Sequence, residues 1–567
     1  MLLHVLCNIS CVKSMRFRVS FFFFMCFFEA GLRWKNCVSS AVAAFLVFSV
    51  DNHGCMCYVA RILAEQFICI VMVNIRQCVA AWEQRAQVSP YRNLLLWGAY
   101  ILIFLFIYGA MFVRSGYHWD ETLDFAGGAI DTYVANGRWG LVLWRCVFGM
   151  GCAVWTSAVL AAVFVTASLV LQTHLLKIER FGIQLLYGAL YMVQIQFAYQ
   201  MDYFFLCDAV AFGLLAVTVA AGLAEQGGMR RMALAAVLVT FAVAVYQCLA
   251  LNFVVLMLLL MLRDMLQGAC PHMVKRMVKA VLISMCAVIV WWGIKLPVQY
   301  FVPVDADALA FCQEYAARLN YREQLFSAEW YLYIGRMLGV MFEHALLPMS
   351  YDGEPFYAAS IVPLVVMLVY MLRHAGGAGK KFVAVLLLVV LWLAPFCMYM
   401  VIGETWPCYP HTKLAQPVVL ASFWALVIPL VKWPAVCRWL GGIALVVCMV
   451  QASSLVSRHA ANMQAAFEAR LLRLHQTESD GVRVALENGI PLRKGCILYY
   501  PASHHWEQNG YVDFCGDYPA LLYMDGATSA ELYRTRHRAH LQQMSVWPAK
   551  GAVRVVDDIV IIKGPEI

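Results

Sequence analysis

Four carboxylates fall within twelve residues of one loop: Asp120, Glu121, Asp124 and Asp131, in the stretch YHWDETLDFAGGAIDTYVANGRWG from Tyr117 to Gly140. If this segment is helical, Asp120, Asp124 and Asp131 lie within about 40° of one another, because offsets of 4 and 11 residues nearly complete whole turns. Gly127 and Gly128 make that alignment conditional. Carboxylates crowded in this way repel each other and raise one another's pKa. Trp119, Phe125, Tyr133 and Trp139 are interleaved with them, and amphipathic aromatics of this kind suit the headgroup level of a membrane. Asn136-Gly137-Arg138-Trp139 then supplies a turn and a cation. A carboxylate held at headgroup level can act as general base for an acceptor hydroxyl while a cation holds a leaving phosphate. An ordinary interfacial loop is the competing account.

Other polar residues cluster at chain turns. Gln194, Gln196, Gln200, Asp202 and Asp208 crowd one turn, and Tyr246, Gln247 and Asn252 mark another. Lys295 ends an apolar stretch. The stretches between are rich in Leu, Val, Ala and Ile, so polarity is expected at one surface rather than at membrane depth. The segment 298–357 is acidic, and its part 329–347 reads as a re-entrant or surface helix. His344 beside Glu343 is a weak metal signal. Asp120 with Glu121 keeps a divalent cation open, but no cofactor is firmly indicated. There is no CxxC and no Cys/His grouping with zinc spacing.

The elements that must position these residues are membrane spans. Of 567 residues 63% are hydrophobic and 13% charged, against about 45–50% and about 25% in soluble domains. A soluble fold and a disordered chain are both excluded. The net charge of +8 encodes membrane orientation rather than nucleic-acid binding. Eleven apolar segments of near-spanning length lie near 93–113, 144–172, 183–200, 205–225, 232–248, 249–263, 280–297, 358–373, 382–402, 414–431 and 439–456. The pair 232–248 and 249–263 reads either as one long helix or as two, broken at Tyr246, Gln247 and Asn252.

The connecting loops alternate in charge. One set of short loops holds sixteen cations, the other six: Arg114, Arg138, Arg318, Arg322, Arg336 and Lys413. The cation-rich set is expected to face the cytoplasm. The N-terminal side of residue 93 is then inside, and loops 114–143, 298–357 and 403–413 are outside, together with the tail. Residues 1–71 are an N-terminal extension of doubtful status. They hold seven of the 21 cysteines and no clean span, and Met72 is the expected start. Residues 72–456 form the multi-span domain. Residues 457–567 form a C-terminal extracytoplasmic domain, with a helix over 459–488 and short strands at 496–500, 511–515 and 553–564, which fits a small α/β module. Cys496 and Cys515 can pair there if the compartment is oxidising.

The WDE of 119–121, the NGRWG of 136–140, the AYQMDYFF of 198–205 and the AVYQCLALNF of 244–253 together resemble the Gtr type-II glucosyltransferases, the serotype-converting family that modifies O-antigen. The similarity spans roughly 93–460. It implies a polytopic GT-C-like fold in the bacterial inner membrane. It also implies a polyprenyl-phosphate-linked glucose donor and transfer to lipopolysaccharide O-antigen or another envelope glycan in the periplasm. Carried onto this chain, the catalytic carboxylate is Asp120 or Glu121. Lys413, in PHTK after Glu404 in GETWP, is the first candidate for the donor phosphate, and Arg138 the second. Asp124, Tyr246, Gln247 and Glu404 are candidates for lining the donor or acceptor pocket. Snorkelling at a span end accounts for Lys413 as well, and a loop carboxylate could partner Arg138.

Two other classes compete. A lipid-linked-sugar flippase or other transporter would carry polar residues through the bilayer midplane. An envelope glycan polymerase would show cationic outer loops for its diphosphate leaving group, and these loops are acidic.

Overall fold

The computed structural model describes residues 84, 86–113, 133–149, 154–194, 197, 200–201, 204–268, 273–302, 327–346, 357, 359–374, 376–402, 413–431, 435–491, 497–501, 512–513, 538–556 and 559–564. The chain divides into Met1–Arg85 and Ala86–Ile567, and the fold below is that of the second unit.

Helices dominate. In chain order they are α1 (Arg92–Tyr108), α2 (Trp139–Phe148), α3 (Val154–Leu175), α4 (Phe181–Met192), α5 (Phe204–Gln226), α6 (Met229–Val245) and α7 (Leu249–Leu266). Next come α8 (Met273–Phe301), α9 (Trp330–Leu346), α10 (Ile361–His374), α11 (Ala378–Leu393), α12 (Tyr399–Ile402), α13 (Gln416–Val427), α14 (Ala435–Glu487) and the short α15 (Arg538–Gln543). Among the described residues five helices are long and apolar enough to cross a membrane: Trp155–Leu175, Leu206–Gln226, Leu249–Leu266, Met273–Phe301 and Ala378–Phe396. Five shorter apolar helices accompany them, α1, α2, α4, α10 and the stretch Gln416–Leu430. This is a helical membrane protein.

The packing centre is α5, which lies along α3 on one side and α6 on the other. Its Ala209, Ala211, Ala216, Ala220, Ala221 and Ala224 are buried, and small residues let helix backbones approach where lipid offers no hydrophobic drive. Hydrogen bonds stitch the helices together. Ser168 Oγ and Thr218 Oγ1 lie 2.8 Å apart, Gln172 Nε2 donates to both, and Tyr187 OH donates to Gln172 Oε1 at 2.5 Å. Trp97 Nε1 donates to Thr166 Oγ1 at 2.8 Å. This polar seam corrects the expectation that the spans are apolar away from one surface. Single Ser, Thr and Gln residues inside apolar runs leave composition almost unchanged, yet they satisfy each other across helices.

One end of the bundle is rich in cations. Arg263 pairs with Glu225 at 3.2 Å and Asp264 at 2.6 Å, and Arg276 bridges the same two carboxylates. Arg92 donates to the Glu179 carbonyl and to Gln184, and Lys279 to the Ala224 carbonyl at 3.1 Å.

Two expected elements differ in detail, and a third is decided between its two readings. The segment 144–172 is two helices, α2 and α3, separated at Gly149, whose φ is 89°. The segment 232–263 is two helices, α6 and α7, with an extended Tyr246 between them. The last apolar segment continues into the tail as one 53-residue helix, α14, about 80 Å long, so the expected boundary at residue 456 falls inside it. Its far end packs on a four-stranded sheet of β1 (Ile497–Pro501), β2 (Val512–Asp513), β3 (Val553–Val556) and β4 (Ile559–Gly564). The strand order is β2-β1-β4-β3, with β1 and β4 parallel. Ala485, Ile490, Ile497, Val560 and Ile562 form the small core there. The expected Cys496–Cys515 pair lies outside the described residues.

Candidate active site

The site begins in the turn between α6 and α7. Helix α6 ends because Tyr246 is extended, with φ −154° and ψ 115°. Gln247 follows, and its Nε2 donates to the Asn136 carbonyl at 2.9 Å. The two sequence segments NGRWG and AVYQCLALNF, over a hundred residues apart, therefore meet in space.

Three residues of NGRWG have a reason to be what they are. Gly137 has φ 72°, and a Cβ there would stand 2.8 Å from Lys295 Cδ and 2.9 Å from Trp291 Cζ2. Only glycine combines that conformation with that closeness. Its carbonyl accepts from Trp291 Nε1 at 2.8 Å. Gly140 lies on the α6 backbone, where a Cβ would be 2.9 Å from the Ala244 carbonyl carbon. Arg138 places its guanidinium carbon 5.1 Å from the centre of the Tyr246 ring, a cation–π distance. Gln299 Nε2 clamps the same turn, donating to the Val134 and Ala135 carbonyls at 3.1 and 2.8 Å. Arg138, Tyr246 and Gln247 are thus brought together. Arg138 is half-buried, and its guanidinium makes no ion pair with the described residues; its Nε is buried without a hydrogen-bond partner.

Immediately below this turn lies a feature that sequence reasoning missed. Arg145 Nη2 pairs with Asp208 Oδ1 at 2.7 Å, both side chains being fully buried, and Trp144 Nε1 donates to Asp208 Oδ2 at 2.9 Å. Asp208 stood out in the sequence. Arg145 was hidden inside an apolar run, although an arginine in such a run is itself a signal.

Lys413 occupies a different cluster. It is 4% exposed, with Nζ 5.8 Å from the Phe396 ring centre and 6.0 Å from that of Tyr399. Tyr399 OH and His344 Nδ1 are 3.1 Å apart, and their rings stack at 4.4 Å with a 30° tilt. Burial, reinforced by the Lys413 charge, pushes the His344 pKa down to about 4. His344 is therefore neutral at pH 7, with Nδ1 engaged by tyrosine.

Asp120, Glu121, Asp124 and Glu404 lie outside the described residues. Among the described residues no group of three or more His, Cys, Asp or Glu could hold a metal ion. Two further carboxamides were not picked out as site residues. Asn252 and Gln416, in the first turns of α7 and α13, are 1% and 0% exposed, and both polar atoms of each lack a hydrogen-bond partner. Asn252 was visible as part of a polar turn. Gln416 carried no signal, being one polar residue at the head of an apolar segment.

No curated protein and no solved structure matches this chain. A family model described as Glucosyl transferase GtrII matches residues 109–428, more than half of the chain and all of the α2–α13 bundle that builds both clusters. The chain is therefore a glycosyltransferase, and it belongs to the GtrII glucosyl transferase family.

Proposed function

We propose that this enzyme transfers glucose from a polyprenyl-phosphate carrier to lipopolysaccharide O-antigen or another envelope glycan, at the outer face of the bacterial inner membrane. In this reading eleven spans put loop 114–143 and the sheet-bearing tail outside. A carboxylate of that loop, Asp120 or Glu121, takes the proton from the acceptor hydroxyl as the oxygen attacks the anomeric carbon. The carrier phosphate leaves, and a cation stabilises its developing charge.

The observation that carries the reading is Arg138. It stands within the residues that the family model matches, next to Gln247 and over Tyr246, seven residues beyond Asp131 of the carboxylate loop. Its guanidinium makes no ion pair with the described residues. Lys413, the first candidate from sequence, is enclosed by rings and 4% exposed. A phosphate reaches the half-exposed Arg138 more directly, so Arg138 takes first place. Asp124 and Glu404 remain candidates for lining the donor or acceptor pocket. The polar seam of Gln172, Ser168 and Thr218 does not favour a transporter, because its members satisfy one another.

The test is donor choice. Membranes holding the chain are given labelled polyprenyl-phosphate glucose or labelled nucleotide-glucose, with lipopolysaccharide as acceptor. The expected outcome is label in lipopolysaccharide from the lipid donor alone. Equal transfer from the nucleotide sugar, with no lipid-linked intermediate, would overturn the reading.

A further inference from the structure

Lys295 lies on α8, 22 residues from the start of a 29-residue helix. Lys275, Arg276 and Lys279 stand at the start of this helix, and Lys295 is 16 residues, about 24 Å, beyond Lys279. It stands towards the far end of the span, on the side where this sequence is sparing with cations, and its long stem can carry the ammonium to the headgroups. Its stem runs against Gly137, and Nζ is 5.8 Å from the Trp291 ring centre. It is half-buried, and no described carboxylate pairs with it.

Arg138 is the residue next to Gly137. Two cations therefore flank one turn, each resting on an aromatic face, and neither is neutralised by the described residues. Both stand at the N-terminus of α2, where the helix dipole is positive. The nearby Trp139 Nε1, like Arg138 Nε, is a buried donor without an acceptor. Two cations on either side of one turn at a positive helix end offer an anion a favourable place to bind.

We propose that Lys295 is a second phosphate ligand, closing with Arg138 a two-cation seat for the phosphate of a lipid-borne monoester. The inference rests on the reading given under Proposed function and adds a residue which that reading does not use. Tight turn geometry explains the need for glycine at 137 in this arrangement: any side chain there would push the Lys295 stem off the turn.

The same phosphate chemistry could come from a bulk anionic headgroup, and the experiment separates the two sources. The full-length chain is placed in phosphatidylcholine nanodiscs, and affinity is measured for polyprenyl monophosphate and for the uncharged polyprenol of equal length. The wild type is expected to prefer the phosphate. Lys295→Met keeps the stem against Gly137 and Trp291 and is expected to weaken phosphate binding by about tenfold, near 1.4 kcal/mol, leaving polyprenol binding and thermal stability unchanged. Lys295→Arg is expected to hold phosphate affinity within about threefold, since it restores a charge at the same level. Phosphate preference intact in a folded Lys295→Met protein would overturn the proposal alone. A wild type that does not distinguish phosphate from alcohol would overturn the donor reading beneath it. Loss of phosphate binding when phosphatidylglycerol is added at equal mole fraction would assign the seat to bulk lipid and overturn it as a donor site.

Discussion

Arg138 and Lys413 are both cations beside aromatic rings, yet their surroundings separate them. Arg138 is half-exposed on a glycine turn, whereas Lys413 is 4% exposed beside Tyr399 and His344. In the Lys413 cluster the informative group is His344. Its folded pKa, near 4, lies below the ordinary value of 6.5. Between those values the unfolded chain binds a proton that the folded chain does not, so stability rises with pH through the window and is lost as pH falls from about 6.5 towards 4. Thermal unfolding in detergent at pH 4.5, 5.5 and 7 is expected to show this decline, and His344→Gln is expected to flatten it. An equal slope in both proteins would remove His344 as its source.

At the scale of elements, the decisive contact is the one between α2 and α5. The Arg145–Asp208 pair is fully buried. Removing one partner strands a charge and costs about 3–5 kcal/mol, while replacing both with apolar residues can be close to neutral. Asp208→Leu or Arg145→Met alone is expected to lower the yield of folded, monodisperse protein in detergent sharply, and the double variant to recover most of it. If the double variant is as poor as the worse single one, the pair is more than structural glue.

How far such elements were legible in the sequence depended on where polar residues stood. The break between α6 and α7 was legible because Tyr246 and Gln247 interrupt an apolar run. The break between α2 and α3 was not, because Gly149 and its neighbours leave hydropathy high on both sides. The continuous helix α14 was read as a span followed by a separate helix, since its apolar pattern ends near residue 456 while helix-forming residues carry on. Of the site, Arg138, Tyr246 and Gln247 were legible as motif residues. Their meeting, and Lys295 beside them, needed the bundle, because the hydrogen bonds to Asn136 and Gly137 span over a hundred residues of chain.

For the whole molecule, the cation-rich end holds Arg92, Arg263, Arg276 and Lys279, and the glycine turn with Arg138 lies at the opposite end. On the proposed topology the first end faces the cytoplasm, as the charge rule expects, and the site faces the side at which a flipped lipid donor would arrive. Alkaline phosphatase fused after Ile567 is therefore expected to be active in intact cells, and the same enzyme inserted after Lys380 inactive. The reverse pattern would invert the topology and move the site to the cytoplasmic face.

The central claim is that a loop carboxylate does the proton chemistry beside the Arg138 turn. It is tested most directly by transfer from labelled polyprenyl-phosphate glucose to lipopolysaccharide, comparing wild type with Asp120→Asn and Glu121→Gln at equal folded levels. The expected result is a loss of at least about a hundredfold in one of the two, in line with removal of a general base, and a much smaller change in the other. Transfer unaffected in both variants would contradict the account.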